Sequence, residues 1–217
     1  MDGNRRWAKE KFFPAVAGHK AWADNVVHIV KYAREKWVKY MTLWALSKDN
    51  LLKRDASEIE TIIRLINNVE HYLEAMIQEW LKFETIGDIA QLPQESQDIL
   101  KKVKERTKDN RGIVLILALV YSWQDEIVRG IHKFIAQGGD IWTLDTHSFR
   151  NYLDTASFPV VDLIVRTWGD MRHSGFLLYD SEYTQYYFSE KKWPDFCIGD
   201  LQNAFDDFAK AKRNFGK

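Results

Sequence analysis

Residues 112–121 read Gly-Ile-Val-Leu-Ile-Leu-Ala-Leu-Val-Tyr, a run without a single charged side chain. The run is too short for a membrane-spanning helix, which needs about 20 apolar residues. It is partly β-branched, and polar residues bound it on both sides. A continuous apolar run of this kind predicts a strand that is buried on both faces, as in the middle of a parallel sheet.

Helical and apolar segments alternate on both sides of this run. Further strands are predicted at 38–46, 81–86 and 160–165. Helices are predicted from Gly18-His19 onward and at 57–79, 93–108, 125–137, 147–152 and 200–213. Strands separated by helices imply βαβ units. We therefore expect one α/β domain over residues 1–217, with a mostly parallel central sheet flanked by helices.

Composition narrows the class of protein. The chain has 217 residues, a mass of 25.6 kDa, and 31 basic against 31 acidic side chains. It therefore lacks the basic excess typical of nucleic-acid partners. Cys197 is alone, so neither an intrachain disulfide nor a multi-cysteine zinc site is expected. With no signal peptide predicted, these features favour a reducing cytoplasmic location.

Polar residues collect directly after the predicted strands. They are Ser47-Lys48-Asp49-Asn50, Gly87-Asp88, Tyr121-Ser122 and the segment from Arg166 to Ser174. In an open α/β sheet, ligands bind beyond the carboxyl ends of the strands. Arginine and serine donate to phosphate oxygens, and a carboxylate can hold Mg²⁺. The pattern therefore favours a polyanionic ligand such as a diphosphate.

These segments resemble the cis-prenyltransferases, of which undecaprenyl diphosphate synthase is a member. The motifs are Met1-Asp2-Gly3-Asn4-Arg5-Arg6-Trp7-Ala8, Gly18-His19-Lys20-Ala21, Ser47 with Asp49-Asn50, Ile86-Gly87-Asp88, Asp162 to Arg166 with Arg172 and Ser174, and Trp193-Pro194-Asp195-Phe196. They are colinear and span almost the whole chain, so the joint signal is specific although each piece alone is weak.

The resemblance implies a homodimer whose subunit has a six-stranded, largely parallel sheet and a hydrophobic tunnel. The segment after Arg172 resembles the dimer-forming region. The implied reaction condenses isopentenyl diphosphate with an allylic diphosphate such as farnesyl diphosphate, using Mg²⁺. The product would be a polyprenyl diphosphate, a membrane-associated lipid carrier for cell-wall precursors, so the enzyme could also lie at the membrane surface.

The resemblance also implies site roles. Asp2 would be catalytic and would bind the metal, and Asn50 would position isopentenyl diphosphate for proton loss. A loop before a helix, residues 3–6, would cradle phosphate. The implied substrate-binding residues are Gly3, Asn4, Arg5, Arg6, Trp7, His19, Ser47, Arg54, Arg166, Arg172 and Ser174. Asp170 stands where the family usually has glutamate.

Ordinary structural explanations stand beside these roles. His19 could simply begin a helix, and Asp49-Asn50 could be turn and cap residues. Arg166 and Arg172 could form surface ion pairs. We interpret Trp193-Pro194-Asp195-Phe196 mainly as an aromatic anchor at a turn.

Two further function classes compete with the enzyme. One is a catalytically weak or inactive homologue that acts as a partner or regulatory subunit. Ala15, Gln185 and Trp168 favour it, because the family commonly has arginine, glutamate and glycine there. The other, a dinucleotide-binding protein, has little support because no Gly-x-Gly-x-x-Gly follows a strand. The retained Asp2, Asn4, Arg6 and Asn50 favour the enzyme.

The family also has an apolar strand directly before the Asp-Gly-Asn motif. Here Met1 opens the motif. We therefore expect the sequence to be an N-terminally truncated form that lacks its first strand.

Tryptophan stands at five positions where the family usually has glycine, namely Trp22, Trp37, Trp80, Trp123 and Trp168. Glycine serves where a positive φ or a close approach is needed. We hypothesise that the gene comes from an organism that reads UGA as glycine. The five codons should then be TGA, whereas those of Trp7 and Trp193 should be TGG.

Overall fold

The structure, a computed structural model, describes residues 1–212, apart from the side chains at positions 15, 16 and 19. The helices are α1 Asn4–Glu10, α2 Ala15–Glu35, α3 Lys48–Lys53, α4 Ala56–Asn67, α5 Leu73–Gln78, α6 Gln94–Thr107, α7 Trp123–Ala136, α8 Thr146–Phe149 and α9 Ile198–Lys210. The strands are β1 Tyr40–Ser47, β2 Lys82–Ile86, β3 Val114–Tyr121, β4 Leu163–Arg166 and β5 Gln185–Phe188. The chain is α/β, as predicted.

The apolar run is the middle strand of a parallel sheet ordered β1-β3-β2. In β3 every residue from Leu115 to Tyr121 is buried. One face of β3 packs in the core cluster that includes residues of α2, α4 and α6, and the other face packs against Phe158, Phe176 and Leu177, which lie outside helices. A strand covered on both faces needs no polar alternation. The prediction of a doubly buried strand is confirmed.

β4 and β5 form a separate parallel pair. The resemblance implied one six-stranded sheet. The described residues instead form five strands in two sheets. The strand predicted at 160–165 is also shorter and less buried, because only Ile164 of β4 is fully buried. One side of β4 pairs with β5, and the other faces a cavity that β1 also lines. Between β1 and β4 no described residue forms a strand.

The helix predicted at 57–79 is interrupted. α4 ends at Asn67, a 3₁₀ segment covers Asn68–Tyr72, and α5 follows. Two consecutive asparagines, Asn67 and Asn68, lie at the break. Asparagine side chains compete for backbone hydrogen bonds, so they weaken a helix interior and favour its ends.

Several other boundaries differ from the predictions. α2 begins at Ala15 after Pro14, so Gly18-His19 lies inside the helix instead of opening it. A Cβ at position 18 would lie 2.3 Å from the Asn4 carbonyl oxygen, so glycine lets α1 approach α2 closely. Residues 4–6 are the first turn of α1 and not a loop. Neither α3 nor β5 was predicted.

A second glycine position matters for the sheet. Gly87 follows β2 with φ +105°, and a Cβ there would lie 1.9 Å from the Leu119 carbonyl oxygen of β3. The end of β2 can therefore turn against β3 only with glycine. The predicted end of this strand at position 86 is confirmed.

The backbone at three of the five unusual tryptophans is left-handed, with φ of 64° at Trp37, 54° at Trp80 and 81° at Trp168. Such angles are sterically costly for a bulky residue and free for glycine. Trp22 and Trp123 instead lie in α2 and α7. A Cβ on Gly175 would lie 2.0 Å from Trp123 Cδ1, so Trp123 is tightly packed there.

Within residues 1–212, no helix combines the length and the apolar character needed to cross a membrane.

Candidate active site

The start of α1, the end of β1 and the end of β4 meet at one cavity of about 1660 Å³. The predicted residues that line it are Asp2, Gly3, Asn4, Arg5, Arg6, Ser47, Asn50, Arg54, Arg166 and Ser174. Three distant stretches of sequence therefore converge where strands end, as expected for an α/β protein.

Asp2 is fixed by its backbone. Its N–H donates to Thr167 Oγ1 at 2.8 Å, and its carbonyl accepts from the Trp193 N–H at 2.9 Å. Its carboxylate Oδ2 lies 3.0 Å from Nη2 of Arg166, and the side chain remains 45% exposed. The carboxylate is thus held in place and still faces the cavity.

Arg166 is the centre of the polar network. Its guanidinium donates to Asp2, to Ser174 Oγ at 2.7 Å and to the Arg172 carbonyl. Asp170 Oδ2 lies 3.4 Å from Arg166 Nη2 and 2.5 Å from Arg172 Nη2. Arg166 is only 13% exposed, so this network gives the cavity a preplaced, orientated cation.

Gly3 precedes α1 with φ 92°. A Cβ there would lie 2.8 Å from Lys192 Cγ and 3.2 Å from Trp168 Cγ. The Arg6 guanidinium carbon lies 3.6 Å from the centroid of the Trp168 ring, within cation–π distance. Trp168 therefore covers the Gly3 turn and holds Arg6 against itself.

A further part of the cavity lining begins at the end of β1. Ser47 caps α3, because its Oγ accepts from the Asn50 N–H at 3.1 Å. The cap is therefore Ser47, whereas Asp49 and Asn50, which were interpreted as turn and cap residues, lie inside α3. The half-buried Asn50 also lines the cavity. Arg54 Nη1 lies 2.6 Å from Glu58 Oε1, and Glu58 Oε2 lies 3.3 Å from Arg5 Nη1.

Among the described side chains, two predicted contacts, Trp7 and Arg172, are not part of the cavity lining. The Trp7 indole N–H donates to Asp195 Oδ1 at 2.7 Å, so Trp7 ties α1 to the 193–195 turn instead of facing a ligand. The Arg172 side chain is 62% exposed and turns to Asp170. His19 lies in α2, and its side chain is outside the described residues.

The body of the cavity is largely apolar. Side chains from the β1 edge and from α4 and α9 line it, among them Leu43, Ile62, Leu65, Leu201 and Phe205. One end thus presents arginines and a carboxylate, and the rest presents hydrocarbon. This division suits a ligand with an anionic head and an apolar chain.

The donor set for a metal is small. No group of three or more His, Cys, Asp or Glu side chains that could hold a metal occurs in the described part of the chain. Asp2 nevertheless offers a carboxylate, and Asn4 Oδ1 is buried without a hydrogen-bond partner. Mg²⁺ is commonly bound by one or two carboxylates together with substrate phosphates. These oxygens therefore fit an ion that is shared with a bound diphosphate.

A comparison with protein families accounts for this arrangement. The family model described as "Putative undecaprenyl diphosphate synthase" matches residues 1–216. The chain belongs to the undecaprenyl diphosphate synthase family. It is therefore a prenyltransferase of isoprenoid biosynthesis.

Relatives in this family are similar over the whole chain. An isoprenyl transferase from Clostridium tetani is 40% identical over 221 residues, covering 100% of this chain and 86% of the relative. An isoprenyl transferase from Clostridium perfringens is 38% identical, covering 100% of this chain and 87% of the relative.

Two solved structures of the family type have the same fold. Lavandulyl diphosphate synthase from Lavandula x intermedia, in complex with dimethylallyl diphosphate, matches with a TM-score of 0.94 and 29% identity, over 100% of this chain and 95% of that one. A "probable undecaprenyl diphosphate synthase" from Campylobacter jejuni matches with a TM-score of 0.82 and 26% identity, over 91% and 93%.

Sequence reasoning missed two residues that organise the site. Thr167, buried, contacts both the N–H and the carbonyl of Asp2. The only feature of the sequence that could have identified Thr167 is its position directly after Arg166. Glu58 bridges two cavity arginines, but in the sequence it is one of several acids in an amphipathic helix.

Proposed function

We propose that this prenyltransferase condenses isopentenyl diphosphate with an allylic diphosphate, such as farnesyl diphosphate, to make a polyprenyl diphosphate. The observation that supports this is a cavity with a cationic end and an apolar body. Each condensation breaks the allylic carbon–oxygen bond, forms a carbon–carbon bond and removes a proton from the isopentenyl unit. The departing diphosphate takes the bonding electron pair and that proton.

The α1 side of the cavity is the proposed allylic site. Ionisation builds negative charge on the departing diphosphate, and preplaced donors stabilise such charge best. Arg5, Arg6 and Arg54 supply guanidinium groups there. Their task is to bind the diphosphate and to hold it while the bond breaks.

The β4 side is the proposed isopentenyl diphosphate site. Arg166 and Ser174 already share a hydrogen bond and face the cavity. Arg172 is part of the same network through Asp170, so it supports Arg166 in this proposal. Asn50 lines the same cavity, and in this proposal its amide orients the isopentenyl unit for proton loss.

Mg²⁺ is the proposed cofactor, held by Asp2 with help from the Asn4 amide oxygen. When bound, it neutralises diphosphate charge and makes that group a better leaving group. Arg166, which pairs with the Asp2 carboxylate here, keeps that carboxylate orientated toward the cavity.

The product would be a lipid, so the proposal includes release at a membrane surface. It also includes a homodimer formed through the segment after Arg172. Sedimentation at several concentrations tests the dimer, since a species of 25.6 kDa throughout would contradict it.

Incorporation of radiolabelled isopentenyl diphosphate with farnesyl diphosphate and Mg²⁺ tests the reaction. We expect labelled, butanol-extractable product from the wild type. Asp2→Ala should reduce it by a factor of about 10³, the loss typical for a group that stabilises transition-state charge. Asp49→Ala, on the exposed face of α3, is the matched control and should retain activity.

The competing function, a weak or inactive partner subunit, predicts a different outcome. The wild type would then incorporate no label although it still binds a diphosphate. Equal activity of wild type and Asp2→Ala would likewise contradict the proposed role of Asp2.

A further inference from the structure

Glu58 stands behind the cationic end of the cavity, in the first turn of α4. Its side chain is 12% exposed, and its two carboxylate oxygens contact different arginines. Oε1 lies 2.6 Å from Arg54 Nη1, and Oε2 lies 3.3 Å from Arg5 Nη1. Both arginines line the cavity, whereas Glu58 is outside its lining.

The two arginines come from separate elements. Arg5 is in the first turn of α1, and Arg54 ends α3. Their positive charges repel each other, and long side chains lose rotamer freedom when they are held in one place. A shared carboxylate offsets both costs before any ligand arrives. Each guanidinium carries five N–H donors, so its bond to Glu58 leaves donors for a phosphate group.

We propose that Glu58 is a positioning residue, which holds Arg5 and Arg54 as a pair aimed at the diphosphate of the allylic substrate. The inference rests on the proposed function above and adds a residue to it. Asp2 and Asp170 also pair with an arginine of the site, and that arginine is Arg166 for both. Asp2 itself lines the cavity and would meet the ligand. Glu58 can keep its bonds when the ligand binds.

Glu58 also has an ordinary structural contribution that the test must separate. An acid in the first turn of a helix interacts favourably with the helix dipole. Glu60 on the same helix provides the matched control, because it pairs only loosely with Arg64 at 3.8 Å and both side chains are 69% exposed. Glu60→Gln removes the same charge from α4 without touching the cavity arginines.

The experiment compares Glu58→Gln, Glu58→Asp and Glu60→Gln with the wild type. We expect Glu58→Gln to raise the KM for farnesyl diphosphate about tenfold with kcat changed less than about twofold, the pattern of lost ground-state binding. Calorimetric titration with inorganic pyrophosphate should show a similar loss of affinity. Glu58→Asp, which keeps the charge, should recover part of it, and Glu60→Gln should match the wild type.

A double variant tests whether Glu58 acts through the arginines. If it does, the loss of pyrophosphate affinity in Arg54→Ala with Glu58→Gln should be smaller than the sum of the two single losses, because coupled residues are not additive and only the effect through Arg5 remains. Additive losses would overturn the inference, as would equal effects of Glu58→Gln and Glu60→Gln. So would wild-type protein that does not bind pyrophosphate. Wild-type protein that binds pyrophosphate without incorporating label contradicts the proposed function and leaves the titrations to decide on Glu58.

Discussion

At the residue scale, Trp37 and Trp80 combine two properties that rarely occur together. Both have a left-handed backbone, and both side chains are mostly solvent-exposed, at 81% and 62%. The conformational cost is therefore present, while little packing offsets it. Glycine would remove that cost, which agrees with the hypothesis that these codons encode glycine.

We predict that Trp37→Gly and Trp80→Gly each increase the free energy of unfolding by about 1 kcal/mol, the scale of the left-handed penalty for a non-glycine residue. Urea denaturation followed by circular dichroism measures it. Trp142→Gly is the matched control, since Trp142 is 91% exposed but has no positive φ. Trp142→Gly should leave the free energy of unfolding unchanged or lower it. An increase equal to that of the other two variants would contradict the explanation by backbone strain.

Trp168 has the same backbone strain inside the site. Its ring stacks on Arg6 and lies against the Gly3 turn, so it occupies space beside two residues of the proposed diphosphate site. We predict that Trp168→Gly increases kcat/KM about tenfold, which corresponds to about 1.4 kcal/mol of transition-state stabilisation. Steady-state kinetics with both substrates measures this. A fall in kcat/KM would show instead that the stack holds Arg6 in its working position.

At the element scale, Asp154 joins three parts of the fold. Its Oδ2 accepts from the Gly87 N–H at 2.9 Å, and Arg129 of α7 donates to both of its carboxylate oxygens at 2.8 and 2.5 Å. Burial raises the pKa of the Asp154 carboxyl, but the hydrogen bonds and charge of Arg129 outweigh burial and lower it overall. The folded state therefore stabilises the charged form of the Asp154 carboxyl more than the unfolded state does.

This lowered pKa predicts how stability depends on pH. Asp154 stabilises the fold above its unfolded pKa of about 3.9, and the contribution is lost as pH falls through the lower folded pKa. Asp154→Asn should cost about 2 kcal/mol near pH 7, the scale of hydrogen bonds to charged groups, and less in strong acid. Unfolding between pH 2 and 7 measures both. A loss independent of pH would contradict this account.

Sequence patterns predicted those elements best whose residues are all buried, because hydrophobicity alone then identifies the element. The run in β3 had to be a central strand, because nothing in it could face water. β5 was missed because Gln185, Tyr186, Tyr187 and Phe188 make a short, half-buried strand with no clear alternation. The break after α4 was missed because the apolar period continues across Asn67 and Asn68, while the local hydrogen bonding changes.

The site was anticipated through motifs and not through geometry. Ten predicted residues share the cavity, although β1 and β4 belong to separate sheets and residues 2–6 follow no described strand. Trp7 was assigned to substrate, yet its neighbour in space is Asp195, at a separation of 188 residues. Contacts of that range cannot be derived from spacing along one chain.

At the scale of the whole molecule, strands of both sheets, β1 and β4, line the same cavity. β1 is bonded to β3 on one side only, and β4 to β5 on one side only, within residues 1–212. Each of the two strands therefore has one side that no described strand covers.

The one-sided pairing of β1 has a consequence for proton exchange with solvent. In a parallel strand, successive N–H groups point alternately to the two neighbours. Along Tyr40–Ser47, amides that point to β3 should retain their protons, and those between them should exchange with deuterium much faster. Residue-resolved exchange by NMR would then show slow and fast rates alternating along a single strand, and uniformly slow rates would mean that the open side of β1 is covered in solution.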